Sequence, residues 1–172
     1  MFKQEKTKNL PNGTIQFETP SGKYALITKA ANFEKASKKA AKYGGYLAEV
    51  TSSEENQQIF DAITGQLSSS QHKNTIAPDG GGTPYVWLGG TDEKSEGNWI
   101  WLNSGLPIDT KLAEWGSGSL GKEPDNDGGN QNYLALGLMN WPSGFPNGEG
   151  FGDAGSWNDL QGTNKLFYVV EF

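Results

Sequence analysis

Residues 85–101 read Tyr85-Val86-Trp87-Leu88-Gly89-Gly90-Thr91-Asp92-Glu93-Lys94-Ser95-Glu96-Gly97-Asn98-Trp99-Ile100-Trp101. Tyr85–Leu88 is a short apolar run and reads as a strand. Trp99-Ile100-Trp101 reads as another, with both tryptophans on one face because strand side chains alternate. Two more strands are expected downstream, over residues 133–138 and 166–172. Between them lie long loops rich in Gly and Asn that hold Trp115, Trp141, Phe145, Phe151 and Trp157. Loops of this length are usually functional or disordered, and the aromatic content favours order. For Trp141, Phe145 and Phe151 the expectation is burial, the common fate of an aromatic ring.

Upstream, the pattern turns helical. Ile15–Phe17 and Tyr24–Ile27 read as strands around a Pro-Ser-Gly turn. Asn32 is suited to cap a helix on which Phe33, Ala36, Ala40 and Tyr43 share a face, stopped by Gly44-Gly45. Tyr46–Val50 reads as a strand. Ser52-Ser53-Glu54-Glu55 is a capping box opening a second helix through Ile59, Phe60 and Ile63 to Gly65. Residues 66–83 read as a polar, glycine-rich loop, and residues 1–14 as a tail or linker before a domain spanning 15–172. The class is α+β, with two early helices and then an antiparallel sheet with a large loop region.

Composition limits the chemistry. The chain has 172 residues, no cysteine and one histidine, His72. Thiol catalysis, disulfides and multi-histidine metal sites are excluded, and a Ser-His-Asp triad is disfavoured. All fourteen basic residues are lysine, and the net charge is −6. Without arginine for bidentate phosphate and guanine contacts, a nucleic-acid partner is not expected. Nine lysines lie in residues 1–42, so the remainder is strongly acidic. No apolar run reaches the roughly 18 residues of a membrane span.

The acidic part concentrates hard oxygen donors. Glu123-Pro124-Asp125-Asn126-Asp127 is followed by Gln131-Asn132 and by Trp157-Asn158-Asp159. Calcium takes six to eight oxygens from such groups. A turn at Pro124, cis in particular, lets Glu123 and Asp125 point the same way. The spacing does not fit an EF-hand, because Asn130 and Leu136 fall at its glycine and bidentate-glutamate positions.

Taken in order, Trp87-Leu88-Gly89-Gly90-Thr91-Asp92, Glu96-Gly97-Asn98-Trp99-Ile100-Trp101, Glu123-Pro124-Asp125, Trp157-Asn158-Asp159 and Val170-Glu171-Phe172 resemble C-type lectin domains over roughly residues 16–172. The resemblance implies that fold, with two helices, small antiparallel sheets and a long calcium-binding loop region. It implies Ca2+ held by Glu123, Asp125, Gln131, Asn158 and Asp159. Sugar hydroxyls would meet the same ion and hydrogen-bond to Glu123, Asp125, Gln131 and Asn158. It also implies a possible second metal position at Asp92, Glu96, Asn126 and Asn132.

The chain departs from the family at two points. The mannose-type triplet is Glu-Pro-Asn and the galactose-type Gln-Pro-Asp, whereas this chain has Glu-Pro-Asp; and Gln131 stands where Glu is usual. One acid has become an amide and one amide an acid, so three carboxylates remain. The two disulfides usual in the family map to Ala40 with Val170 and to Tyr133 with Gly162. Lack of Cys and Arg points to a bacterial surface protein, such as the ligand-binding module of an exported RTX-type adhesin. The function expected is calcium-dependent binding of cell-surface glycans, mannose- or fucose-type first, by a monomeric module that does not insert into membranes. Catalysis is not expected, because acids committed to calcium are poor proton donors. The alternative is a non-sugar member of the fold that binds protein or ice.

Overall fold

The computed structural model describes residues 9–109 and 114–172. The chain opens with β1 (Ile15–Thr19) and β2 (Gly22–Ala31), followed by α1 (Phe33–Lys42), β3 (Tyr46–Leu47) and α2 (Ser53–Thr64). Then come α3 (Ser69–His72), β4 (Ile76–Ala77), β5 (Thr83–Thr91) and β6 (Ile100–Trp101). A small hairpin of β7 (Ser117–Gly118) and β8 (Gly121–Lys122) precedes β9 (Tyr133–Gly137), β10 (Trp157–Leu160) and β11 (Leu166–Glu171). The main sheet runs β1-β2-β11-β5-β9-β10, with β3 beside β11 and β4 and β6 beside β5. Pairing is antiparallel except for β11 with β5, a parallel contact that the sequence pattern does not reveal.

The central strands are buried on both faces. Along β5, Val86 and Leu88 enter one core cluster while Tyr85 and Trp87 enter the other. Along β11, Phe167 and Val169 alternate with Leu166, Tyr168 and Val170 in the same way. Strands covered on both sides read as continuous apolar runs, which is how Tyr85–Leu88 stands out. One helix covers each face: α2 adds Ile59 and Ile63 to the first cluster, α1 adds Phe33, Ala36 and Ala40 to the second. Both tryptophans of residues 99–101 enter the first cluster, as their spacing implies. At Gly89 a Cβ would lie 2.5 Å from the Leu47 carbonyl oxygen, so the approach of β3 to β5 requires glycine.

The helix starts are as read, with one change. The Asn32 side chain accepts from the Lys35 N–H at 2.9 Å, and the Ser52 side chain from the Glu55 N–H at 3.1 Å. The buried Glu55 carboxylate does not close the box on Ser52. It accepts from the Thr51 N–H at 2.7 Å and from the Tyr24 hydroxyl, tying α2 to β2.

Residues 66–83 are not the continuous loop expected. They hold α3, β4 and a 3-10 turn, Pro78–Gly80, and the turn places Asp79 beside the site described below. Of the tail reading, residues 1–8 lie outside the described residues. Leu10 packs against the second cluster, and the Gly13 carbonyl accepts from Thr28. At the two positions that the family bridges with disulfides, packing takes over. Ala40 and Val170 are fully buried in one cluster, and the Tyr133 ring lies against Gly162, where a Cβ would sit 2.5 Å from it.

Candidate functional site

The site lies where the loop of residues 114–132 runs along β10, at the end of the sheet. Residues 114–116 pair with β10 through the Trp157 N–H to the Glu114 carbonyl at 2.6 Å and the Gly116 N–H to the Trp157 carbonyl at 2.9 Å. The Glu123 N–H then donates to the Gly116 carbonyl at 2.8 Å, bringing the Glu-Pro-Asp triplet to the strand. The Glu123–Pro124 bond is cis. Successive residues of a strand point to opposite faces, so Asn158 and Asp159 flank this edge. The Trp157 indole N–H anchors the strand on Asn56 of α2 at 2.8 Å.

All five residues of the primary ligand set meet here. Carboxylate oxygens of Glu123, Asp125 and Asp159 lie within 4.8 Å of one another. Glu123, Asp125, Gln131 and Asn158 line a cleft of about 250 Å³, together with Asp79 and Trp141. Each side chain is held. Asp159 is fully buried and accepts backbone N–H groups of Asp125 at 3.2 Å and Asn126 at 2.8 Å, pinning the loop to β10. The Asp125 and Gln131 side-chain oxygens both accept the Asp127 N–H, at 3.1 and 2.7 Å. Asn158 donates to the Tyr85 hydroxyl at 3.0 Å. Trp141 donates its indole N–H to Glu123 Oε1 at 2.9 Å.

The electrostatics suit a cation. Glu123 Oε2 is buried and has no hydrogen-bond partner among the described residues. Burial, with Asp125 and Asp159 adding to it, pushes the Glu123 pKa up to about 8 against the Trp141 hydrogen bond. Burial likewise raises Asp159 to about 6, opposed by the Asn126 and Asp125 N–H groups. A cation among these oxygens removes the conflict, and hard oxygen donors of this kind suit Ca2+.

A pH dependence follows. Without a cation, native Glu123 keeps its proton to about pH 8, whereas its ordinary value is 4.5. Between those values the native state binds more protons than the unfolded chain, so stability falls as pH rises. Burial raises Asp92 and Glu171 too, in the same direction. The EDTA-treated domain is expected to melt at a lower temperature at pH 8.5 than at pH 5.5. Saturating calcium is expected to reverse that order, because binding requires the deprotonated acids. A thermal-unfolding series with and without calcium checks both signs.

The second residue set is only partly assembled. Asp92 is buried, with Oδ2 accepting the Gly97 N–H at 2.8 Å and Oδ1 without a hydrogen-bond partner among the described residues, while Glu96 is exposed. Asn132 joins through its backbone carbonyl, which accepts the Asp92 N–H at 3.2 Å. The Asn126 side chain is engaged elsewhere, accepting the Gln131 N–H at 3.0 Å.

Three side chains that support the site were not legible as such. Asp79 faces Gln131, Tyr85 orients Asn158 and Trp141 holds Glu123. Trp141 is buried as expected, with Phe151 partly buried against the second cluster. Phe145 corrects the expectation: it stands at the surface, 38% exposed.

A family model for the lectin C-type domain matches residues 29–170. A perlucin-like protein of Mytilus galloprovincialis is 30% identical over 170 residues, covering 94% of this chain and 81% of the relative. Salivary C-type lectin 2 of Aedes albopictus is 27% identical over 154 residues, covering 87% and 82%. Among solved structures, C-type lectin CEL-I of Cucumaria echinata has a TM-score of 0.64 at 19% identity, covering 90% of this chain and 92% of that one. The mouse scavenger receptor C-type lectin carbohydrate-recognition domain has a TM-score of 0.63 at 22% identity, covering 91% and 92%. With its strand order, its two covered sheet faces and its Glu-Pro-Asp and Trp-Asn-Asp segments at one edge, the chain belongs to the C-type lectin domain family.

Proposed function

We propose that this domain binds carbohydrate through a calcium ion held by Glu123, Asp125, Gln131, Asn158 and Asp159. The observation that carries the reading is Glu123, whose buried Oε2 has no hydrogen-bond partner among the described residues and whose carboxylate has an oxygen within 4.8 Å of oxygens of two further acids. A buried carboxylate oxygen without a donor is costly, and a cation is the partner that three converging acids can share. Calcium, when bound, supplies open coordination positions for two vicinal hydroxyls of a sugar.

The chain's own residues supply the hydrogen bonds around such a diol. Glu123 and Asp125 accept, while Asn158 and Gln131 donate through the second N–H of amide groups whose first is given to Tyr85 and Asp79. Each hydroxyl therefore meets one acid and one amide, Glu123 with Asn158 and Asp125 with Gln131. Retention of Glu at the first triplet position favours mannose- or fucose-type diols. Carbohydrate recognition is also the stated role of the mouse scavenger receptor domain, whose fold this chain shares.

In this reading the domain is a non-catalytic, monomeric module at a bacterial cell surface, carried by a longer exported adhesin and directed at glycans of other cells. The support is the cysteine-free, arginine-free, acidic sequence. Single-site affinity is weak, and many copies make adhesion firm.

A glycan array probed in millimolar calcium and again in EDTA tests the reading. The expected result is binding to a defined set of mannose- or fucose-bearing glycans that disappears in EDTA. Binding that survives EDTA refutes calcium bridging. No binding in either buffer turns the assignment to the protein- or ice-binding alternative.

A further inference from the structure

We infer that Asp79 is the positioning residue for Gln131, and the reason that an amide rather than an acid stands at position 131. The inference rests on the reading of Gln131 as part of the cation site. Gln131 is 2% exposed and is held from two sides. Its Oε1 accepts the Asp127 N–H at 2.7 Å. A backbone N–H can only donate, so this bond decides which end of the amide is oxygen. The Nε2 end therefore faces Asp79, 3.3 Å from Oδ2 and 3.4 Å from the backbone oxygen.

Asp79 is itself fixed by donors. Its Oδ2 also accepts the Gln161 N–H at 2.9 Å, and its Oδ1 accepts from the Asn164 amide. The Pro78–Gly80 turn places it on the wall of the cleft that Glu123, Asp125 and Asp127 also line. A glutamate at position 131 would keep its Oε1 on the Asp127 N–H. Its second oxygen would then face the Asp79 carboxylate and carbonyl at hydrogen-bond distance with no proton between them. Like charges that close in a partly buried cleft repel strongly. Asp79 thus excludes the acid usual at position 131, and its own charge stands beside the cleft in place of that acid.

A double-mutant cycle on the whole domain tests this, using Asp79→Asn, Gln131→Glu and the pair together. Two quantities are read: melting temperature in EDTA and calcium affinity by calorimetry. In EDTA, Gln131→Glu is expected to melt roughly 5 °C below wild type, and Asp79→Asn also below it. The double variant is expected to melt above the sum of the two losses, because the amide introduced at position 79 donates to the carboxylate introduced at position 131, although the Gln161 N–H still loses its Asp79 acceptor. With calcium, Asp79→Asn is expected to bind about tenfold more weakly, and the double variant within about threefold of wild type, since it carries the acid at position 131 instead of position 79.

Additive melting losses overturn the inference, as does Gln131→Glu melting at or above wild type in EDTA. A wild type that binds no calcium but keeps a non-additive cycle sinks the metal reading and leaves the pairing standing. A wild type that binds calcium but gives an additive cycle does the reverse.

Discussion

Trp141→Ala is expected to cost the domain about 4 kcal/mol of stability and to remove calcium binding with it. The indole is 2% exposed and sits in a seat made by glycines. A Cβ at Gly116, Gly137 or Gly152 would lie 2.5, 2.6 or 2.1 Å from indole carbons. Alanine there leaves a cavity as well as lost contacts. The same ring donates its N–H to Glu123 Oε1, so the deletion also frees the acid at the centre of the site. Two companion variants separate the roles. Trp141→Phe keeps most of the ring and loses the N–H, so it is expected to fold and to bind calcium roughly tenfold more weakly, as when a group supporting a metal ligand is removed. Gly152→Ala forces a methyl into the indole and is expected to lose about 3 kcal/mol by overpacking. Denaturant titration and calcium calorimetry measure both effects. Trp141→Phe binding calcium as wild type does would show that the ring supports the site by bulk alone.

Asp159→Asn is expected to weaken calcium binding by at least about 100-fold, on the order of a lost ligand rather than a lost support. Asp159 serves twice. It is one of the three converging acids, and its two oxygens accept the Asp125 and Asn126 N–H groups. An amide in its place points an NH2 group at one of those backbone donors. Two donors then face each other in a buried position, which costs about 1–3 kcal/mol. The loop carrying Asp125 is expected to loosen even without calcium. Amide exchange at Asp125 and Asn126, measured in EDTA, should therefore speed up beside the fall in affinity. Unchanged exchange would mean that the loop holds itself in place without Asp159.

The candidate ligand set stood out because its members cluster in sequence. Glu123 and Asp125 flank one proline, Asn158 and Asp159 follow one tryptophan, and hard oxygen donors are rare enough together to stand out. The groups that hold these ligands were not legible. Asp79 lies 52 residues from Gln131 and Trp141 lies 18 from Glu123, with irregular backbone between them. Residues 66–83 read as loop because four-residue helices and two-residue strands are too short to set up a period. The exposed Phe145 shows the converse limit, since hydrophobicity alone does not decide which ring of a loop finds room inside.

The sequence by itself determined the starts of α1 and α2, the strands marked by apolar runs and a concentration of hard oxygen donors. Those properties are local: an apolar period, a capping side chain, or acids and amides within a few residues. Only the tertiary structure decided that β11 lies parallel to β5, that Asp159 anchors the Asp125 backbone, and that Asp79 faces the amide of Gln131. Those contacts join segments with no shared period, and their distances are set by how the sheet edge and the glycine-lined seat of Trp141 bring the loops together.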